Sequence, residues 1–124
     1  MGYHVISVDD LEATPDRPCD RHPIGETAGL ETVAVNHYDA ASGEQLPLAY
    51  HYHDDQEELF YVLSGTLSVE TPDGEYTVDA NEAFVVEPDS PHRAYNAESA
   101  DRPVRVLAIG APPIDDVHPY EPEP

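Results

Sequence analysis

The chain has 124 residues, 26 of them acidic against only five basic, and all five basic residues are arginines. A formal charge of −21 repels phosphate backbones and anionic lipid, so neither nucleic acid nor a membrane surface is an expected partner. With 40% hydrophobic residues and a single cysteine, the composition is that of one folded domain without an intramolecular disulfide.

The first ten residues have neither a basic start nor a long apolar run, so no secretory leader is expected and the expected location is the cytoplasm. Residues 3–8 alternate weakly, as an N-terminal strand would. Residues 11–28 hold Pro15, Pro18 and Pro23 among charges and read as an extended arm, with Cys19 an ordinary free thiol. From residue 30 the alternation strengthens: Val33, Val35 and His37 share one face of a strand over 30–39. Short runs rich in Val, Tyr, Phe, Leu and Thr follow at 47–53, 58–63, 66–71, 75–79, 83–87, 92–97 and 103–109. Turn signals separate them, among them Asp54-Asp55, Ser64-Gly65, Pro72-Asp73-Gly74 and Pro88-Asp89-Ser90-Pro91. No window reads as a long amphipathic helix, and no apolar run approaches the roughly 20 residues of a membrane helix. Residues 112–124 carry Pro112, Pro113, Pro119, Pro122 and Pro124 and are expected to form no regular structure. The expected organisation is an N-terminal strand and arm (1–28), an all-β sandwich or barrel (29–111) and a Pro-rich acidic tail (112–124).

The stretch with chemical content is Tyr-His-Tyr-His-Asp-Asp-Gln-Glu-Glu-Leu-Phe-Tyr-Val-Leu-Ser-Gly at 50–65. Side chains two apart on a strand point the same way, so His51 and His53 project together as two imidazoles chelating one ion must. The Asp-Asp-Gln turn then reverses the chain and brings a carboxylate alongside, with Glu58 on the face of Phe60 and Val62. A fourth ligand is available downstream in His92, which opens a strand after a Pro-bounded turn. Three imidazoles and one carboxylate form a mixed N/O set suited to one borderline divalent transition metal, such as Zn, Mn, Fe, Ni or Co. A metal accepting five or six ligands keeps one or two positions open, as a catalytic site requires. Phe60 and Phe84 are candidates to line a substrate pocket; His37 is a more distant candidate, with a solvated or core-edge position as the favoured alternative. Arg93 is expected to pair with nearby carboxylates, and Asn96 to hydrogen-bond a neighbouring loop.

Residues 51–65 resemble the first signature of the cupin superfamily, in which His-x-His is followed by Glu and then Gly: here His51, His53, Glu58 and Gly65. Residues 81–96 are similar to the second signature, ending in His92 and Asn96. The six-residue interval to Gly65 favours Glu58 over its neighbour Glu57. Asn81 stands where the second signature has Gly, and Glu87-Pro88-Asp89 where it has Pro-x-Gly; Asn and Asp tolerate the left-handed conformation such turns need. The resemblance implies a single-domain cupin β-barrel, also described as a double-stranded β-helix or jelly roll. It further implies a small-molecule ligand or substrate and pairing into a homodimer, for which the strand at 1–10 offers an exchangeable element. Two functions follow from it as expectations. One is a small metalloenzyme acting on an oxygen-rich small molecule, dioxygenase- or isomerase-like; the other is a non-catalytic, metal-dependent binding or regulatory protein. The lysine-free acidic composition resembles that of haloarchaeal proteins, whose carboxylate repulsion is screened by concentrated salt.

Overall fold

A computed structural model describes residues 2–122. Ten strands account for nearly all the regular structure: β1 (Asp20–Pro23), β2 (Ala34–Ala40), β3 (His51–His53), β4 (Glu57–Ser64), β5 (Thr66–Thr71), β6 (Gly74–Asp79), β7 (Ala83–Val86), β8 (Arg93–Tyr95), β9 (Val104–Ala111) and β10 (Val117–Pro119). One short helix, α1 (Ile24–Ala28), and a 3₁₀ turn at Val8–Asp10 complete them. Every strand pairing is antiparallel. One layer is a five-stranded sheet in the order β1-β2-β9-β4-β7. The other joins β6-β5-β8 to the pair β3-β10, because His51 and His92 exchange backbone hydrogen bonds of 3.2 and 2.9 Å. The result is an all-β jelly roll.

The alternation that marks the strands also fills the space between the layers. Val62 on β4, Leu67 and Val69 on β5, and Val104 and Val106 on β9 are fully buried. Burying such a side chain contributes about 1.5–3 kcal/mol relative to leaving it in water. Gly65, at φ 78°, makes the turn from β4 to β5, where a Cβ would stand 2.4 Å from the Pro103 carbonyl oxygen. Only glycine fits there. Asn81 and Asp89 adopt φ 72° and 61°, so both departures from the expected glycines occupy the left-handed conformation that Asn and Asp tolerate.

Two expectations fail at the ends. Residues 3–8 form no strand: Tyr3 and Val5 are almost completely exposed, and weak alternation without a neighbouring strand edge does not fix extended pairing. The Pro-rich tail, in contrast, does form regular structure. β10 pairs with β3 in the register Val117↔His53 and Pro119↔His51, at the edge of its sheet. Proline is excluded from central strands because it lacks an N–H, but an edge position leaves that donor unneeded. The arm also takes part, since β1 pairs with β2 along its whole length.

Candidate metal centre

The spacing of two on β3 sends His51 and His53 into the barrel together, while Tyr52 between them faces outward and stacks on His118 with ring centroids 5.1 Å apart. The turn at 54–56 returns the chain as β4, whose second residue is Glu58. His92 immediately precedes β8 and is held against His51 by their paired backbone bonds. Four side chains from three segments thus meet at one point. Glu58 Oε1 lies 2.8 Å from His53 Nε2, 3.3 Å from His92 Nε2 and 3.9 Å from His51 Nε2, and the Nε2 atoms of His51 and His53 are 3.1 Å apart. The donor atoms of His51, Glu58 and His92 all fall within 4.8 Å of one another. Two donors bound at right angles about 2.1 Å from one ion stand about 3 Å apart, so the shorter separations are those of a shared coordination sphere.

The far side of each ring decides what the near side offers. His51 Nδ1 donates to the Ala49 carbonyl at 2.8 Å, His92 Nδ1 to the Ser90 carbonyl at 2.9 Å, and His53 Nδ1 to Asp116 Oδ1 at 2.8 Å. With each Nδ1 anchored outward, every ring points its Nε2 inward, the atom whose lone pair ligates a metal in the corresponding neutral tautomer. The inward atoms have little else to bond. Glu58 Oε1 and His92 Nε2 are buried without a hydrogen-bond partner, an arrangement that costs free energy unless something occupies the gap. Burial opposes ionisation of Glu58, yet the adjacent His53 and His92 rings hold the carboxyl down at about 2. Burial would lower His53, but Glu58 and Asp116 raise it above the ordinary imidazole value, whereas burial leaves His51 below that value. A fixed carboxylate in a buried pocket demands positive charge beside it, and the residues present fit a divalent cation.

These four residues open onto a cavity of ≈ 1000 Å³. The sequence profile of the cupin domain matches residues 36–110, which span β2 to β9 and include all four. The chain belongs to the cupin family. Among curated proteins none matches this cupin. Its fold is similar to that of the polyketide cyclase RemF from Streptomyces resistomycificus, with TM-score 0.79 and 17% identity over 98% of this chain and 88% of that one. KdgF from Halomonas sp. gives 0.74 and 19% over 94% and 98% of the two chains. A sugar phosphate isomerase from a cupin superfamily, from Silicibacter pomeroyi, gives 0.74 and 22% over 87% and 75%. The cupin spans 58% of a further similar chain, from Acidithiobacillus ferrooxidans. At these identities the likeness is one of fold.

The remaining candidates separate. Phe60 lines the cavity and meets His92 with ring centroids 5.9 Å apart. Phe84 shares its sheet face as its cross-strand partner but packs on Tyr76 and the core, away from the cavity wall. His37 is on the opposite side of β2 from the cavity. Its cross-strand partner is Leu107, whereas Asn36 and Tyr38 pair with Ala108 and Val106 and line the cavity. His37 is buried all the same, with the ring of His22 5.9 Å away. Glu57 is exposed, Arg93 pairs with Glu70 and lies over Tyr95, and Asn96 donates to the carbonyls of Ala40 and Arg102.

Two parts of the site carry no signal in the sequence. Asp116, in the tail, binds His53 through Oδ1 and accepts the backbone N–H groups of Asp55 and Gln56 through Oδ2, at 2.7 and 3.0 Å. It therefore fixes both a candidate ligand and the turn separating that ligand from Glu58. The N–H groups of Asp55 and Gln56, together with His53, keep its carboxyl at about 2 despite the opposing effect of burial. The other part is the arm, which brings Arg17 and Arg21 to the cavity wall.

Proposed function

We propose that this cupin is a metalloenzyme acting on an oxygen-rich small molecule, with His51, His53, Glu58 and His92 holding one divalent transition metal ion. The observation behind the reading is the set of inward ring nitrogens: three rings tethered through Nδ1 with Nε2 facing one point, and beside them a Glu58 oxygen with no hydrogen-bond partner. A bound divalent cation supplies Lewis acidity toward substrate oxygens at this point. The residues supply the rest. Ala49, Asp116 and Ser90 hold the three rings in one tautomer, and Glu58 offsets part of the cation's charge. Phe60, packed edge-on against His92, keeps that side of the centre apolar. Four protein ligands leave room in a five- or six-ligand sphere for a substrate atom, and the cavity volume suits a small metabolite.

The test is elemental analysis of protein purified, stripped with a chelator, reloaded and dialysed in concentrated salt. Wild type should carry one equivalent of a transition metal. His53→Ala and His92→Ala should lose most of it while keeping their β-sheet circular dichroism, because the valine and leucine core is separate from the site. Full occupancy in both variants would refute the assignment.

A further inference from the structure

The structure assigns an anion-binding role to Arg17: we propose that the substrate of this cavity carries a carboxylate, which the Arg17 guanidinium grips while the substrate lies beside the candidate metal centre. This rests on the metal-site reading above.

A chain with 26 acidic residues has a carboxylate available for almost any arginine. Arg93 pairs with Glu70, Arg21 lies 3.7 Å from Glu26, and the exposed Arg102 lies 3.6 Å from Asp101. Among the described residues neither Arg17 nor Arg105 has a carboxylate within 4.0 Å, and Arg105 is exposed to solvent. Arg17 is only partly exposed, and it lines the same cavity as His51, His53, Glu58 and His92. Its Nε is buried without a hydrogen-bond partner, and its Nη2 makes only a long contact of 3.4 Å to the Leu46 carbonyl. A guanidinium carries paired N–H donors whose geometry matches the two oxygens of a carboxylate. Leaving such donors unmatched in a partly buried site is costly, and an anionic ligand that engages the guanidinium reduces the cost.

The backbone holds Arg17 in place ahead of binding. The loop from Thr14 to Arg21 is closed by the Thr14 N–H donating to the Arg21 carbonyl at 2.8 Å. Pro15 and Pro18 restrict it, and the buried Cys19 anchors it in the core. Such preorganisation lowers the ordering cost of gripping a ligand. A monoanionic group fits better than a phosphate. Arg21, the second arginine on the cavity wall, is already engaged with Thr14 and Glu26. Among the described residues on the cavity wall, that leaves Arg17 as the one guanidinium without a carboxylate partner, enough for one charge but not two.

The experiment measures binding to metal-loaded full-length protein by calorimetry, with glycolate, malate and gluconate as carboxylate probes. Sorbitol serves as a neutral counterpart and glucose 6-phosphate as a phosphate probe. At least one carboxylate should bind wild type, and Arg17→Gln should weaken it about 10- to 100-fold. Arg17→Lys, which keeps the charge but loses the planar edge, should fall between the two. Metal content is measured in every sample. A wild type that takes up no metal defeats the metal reading, whereas intact metal with equal carboxylate binding in wild type and Arg17→Gln defeats this inference alone. No carboxylate binding by the metal-loaded wild type, or tighter binding of glucose 6-phosphate that depends on Arg17, would also overturn it.

Discussion

Replacing Asp116 by Ala tests whether the tail is part of the metal centre. The change removes the acceptor for His53 Nδ1 and the partner of two backbone N–H groups at the 54–56 turn. The N–H of Asp55 is at an exposed residue, where water replaces the lost bond cheaply; that of Gln56, which is buried, is less easily compensated. The larger effect falls on His53, whose ring is then free to rotate and to exchange the roles of its nitrogens. Losing such an outer partner of a metal-bound histidine typically lowers metal affinity about 10- to 100-fold. Asp116→Asn keeps an oxygen for Nδ1 but not the charge, so it should lose less than Asp116→Ala. Competition against a chromogenic chelator at fixed pH and high salt reads the affinity directly. Glu121→Ala, an exposed change in the same tail, should leave it unaltered. Wild-type affinity in Asp116→Ala, at an unchanged melting temperature, would show that His53 is oriented without the tail.

Three further outcomes follow from charge and burial. Because −21 formal charges repel one another, the melting temperature should rise steeply between about 0.1 M and about 2 M KCl as the Debye length falls from about 10 Å to a few Å; a flat dependence would remove the salt-adapted reading of the surface. Burial, aided by the charges of Arg105 and His22, holds His37 below its ordinary value of 6.5. Protonation therefore favours the unfolded chain, so this contribution to stability is intact above that value and is lost as pH falls below it. Thermal melts should show His37→Leu losing less stability than wild type between about pH 7.5 and about pH 5.5, and equal losses would refute the sign. Burial, with Glu44 adding to it, pushes the Cys19 thiol up to about 12, so a thiol reagent at mildly alkaline pH should label the native protein far more slowly than the denatured one. Rapid labelling of the native form would contradict its burial.

What the sequence made legible is what local spacing controls. The alternation at 66–71 coincides with β5, and the two-residue interval of His51 and His53 fixes their common face. Gly65, Asn81 and Asp89 show in the sequence because left-handed turns restrict residue type. Contacts between distant segments leave no such trace. Asp116 binds His53 across 63 positions, and in the sequence it is one more carboxylate in an acidic tail. Arg17 reads as a charge in a Pro-rich arm, and only the docking of β1 on β2 brings that arm to the cavity. His37, expected at the core edge or in solvent rather than at the pocket, is buried away from the cavity for a related reason. Burial on one face of a strand normally marks the interior, but here both faces of β2 are covered, so the histidine is buried on the side away from the cavity.

Anomalous diffraction from crystals of metal-loaded protein shows whether the four side chains share one ion. Data collected on either side of the metal's absorption edge locate the ion independently of any assumption about its ligands. One strong peak per chain is expected, with His51 Nε2, His53 Nε2, His92 Nε2 and a Glu58 oxygen each roughly 2.0–2.3 Å away. A peak elsewhere, coordination through Nδ1, or no peak in protein that carries stoichiometric metal would contradict it.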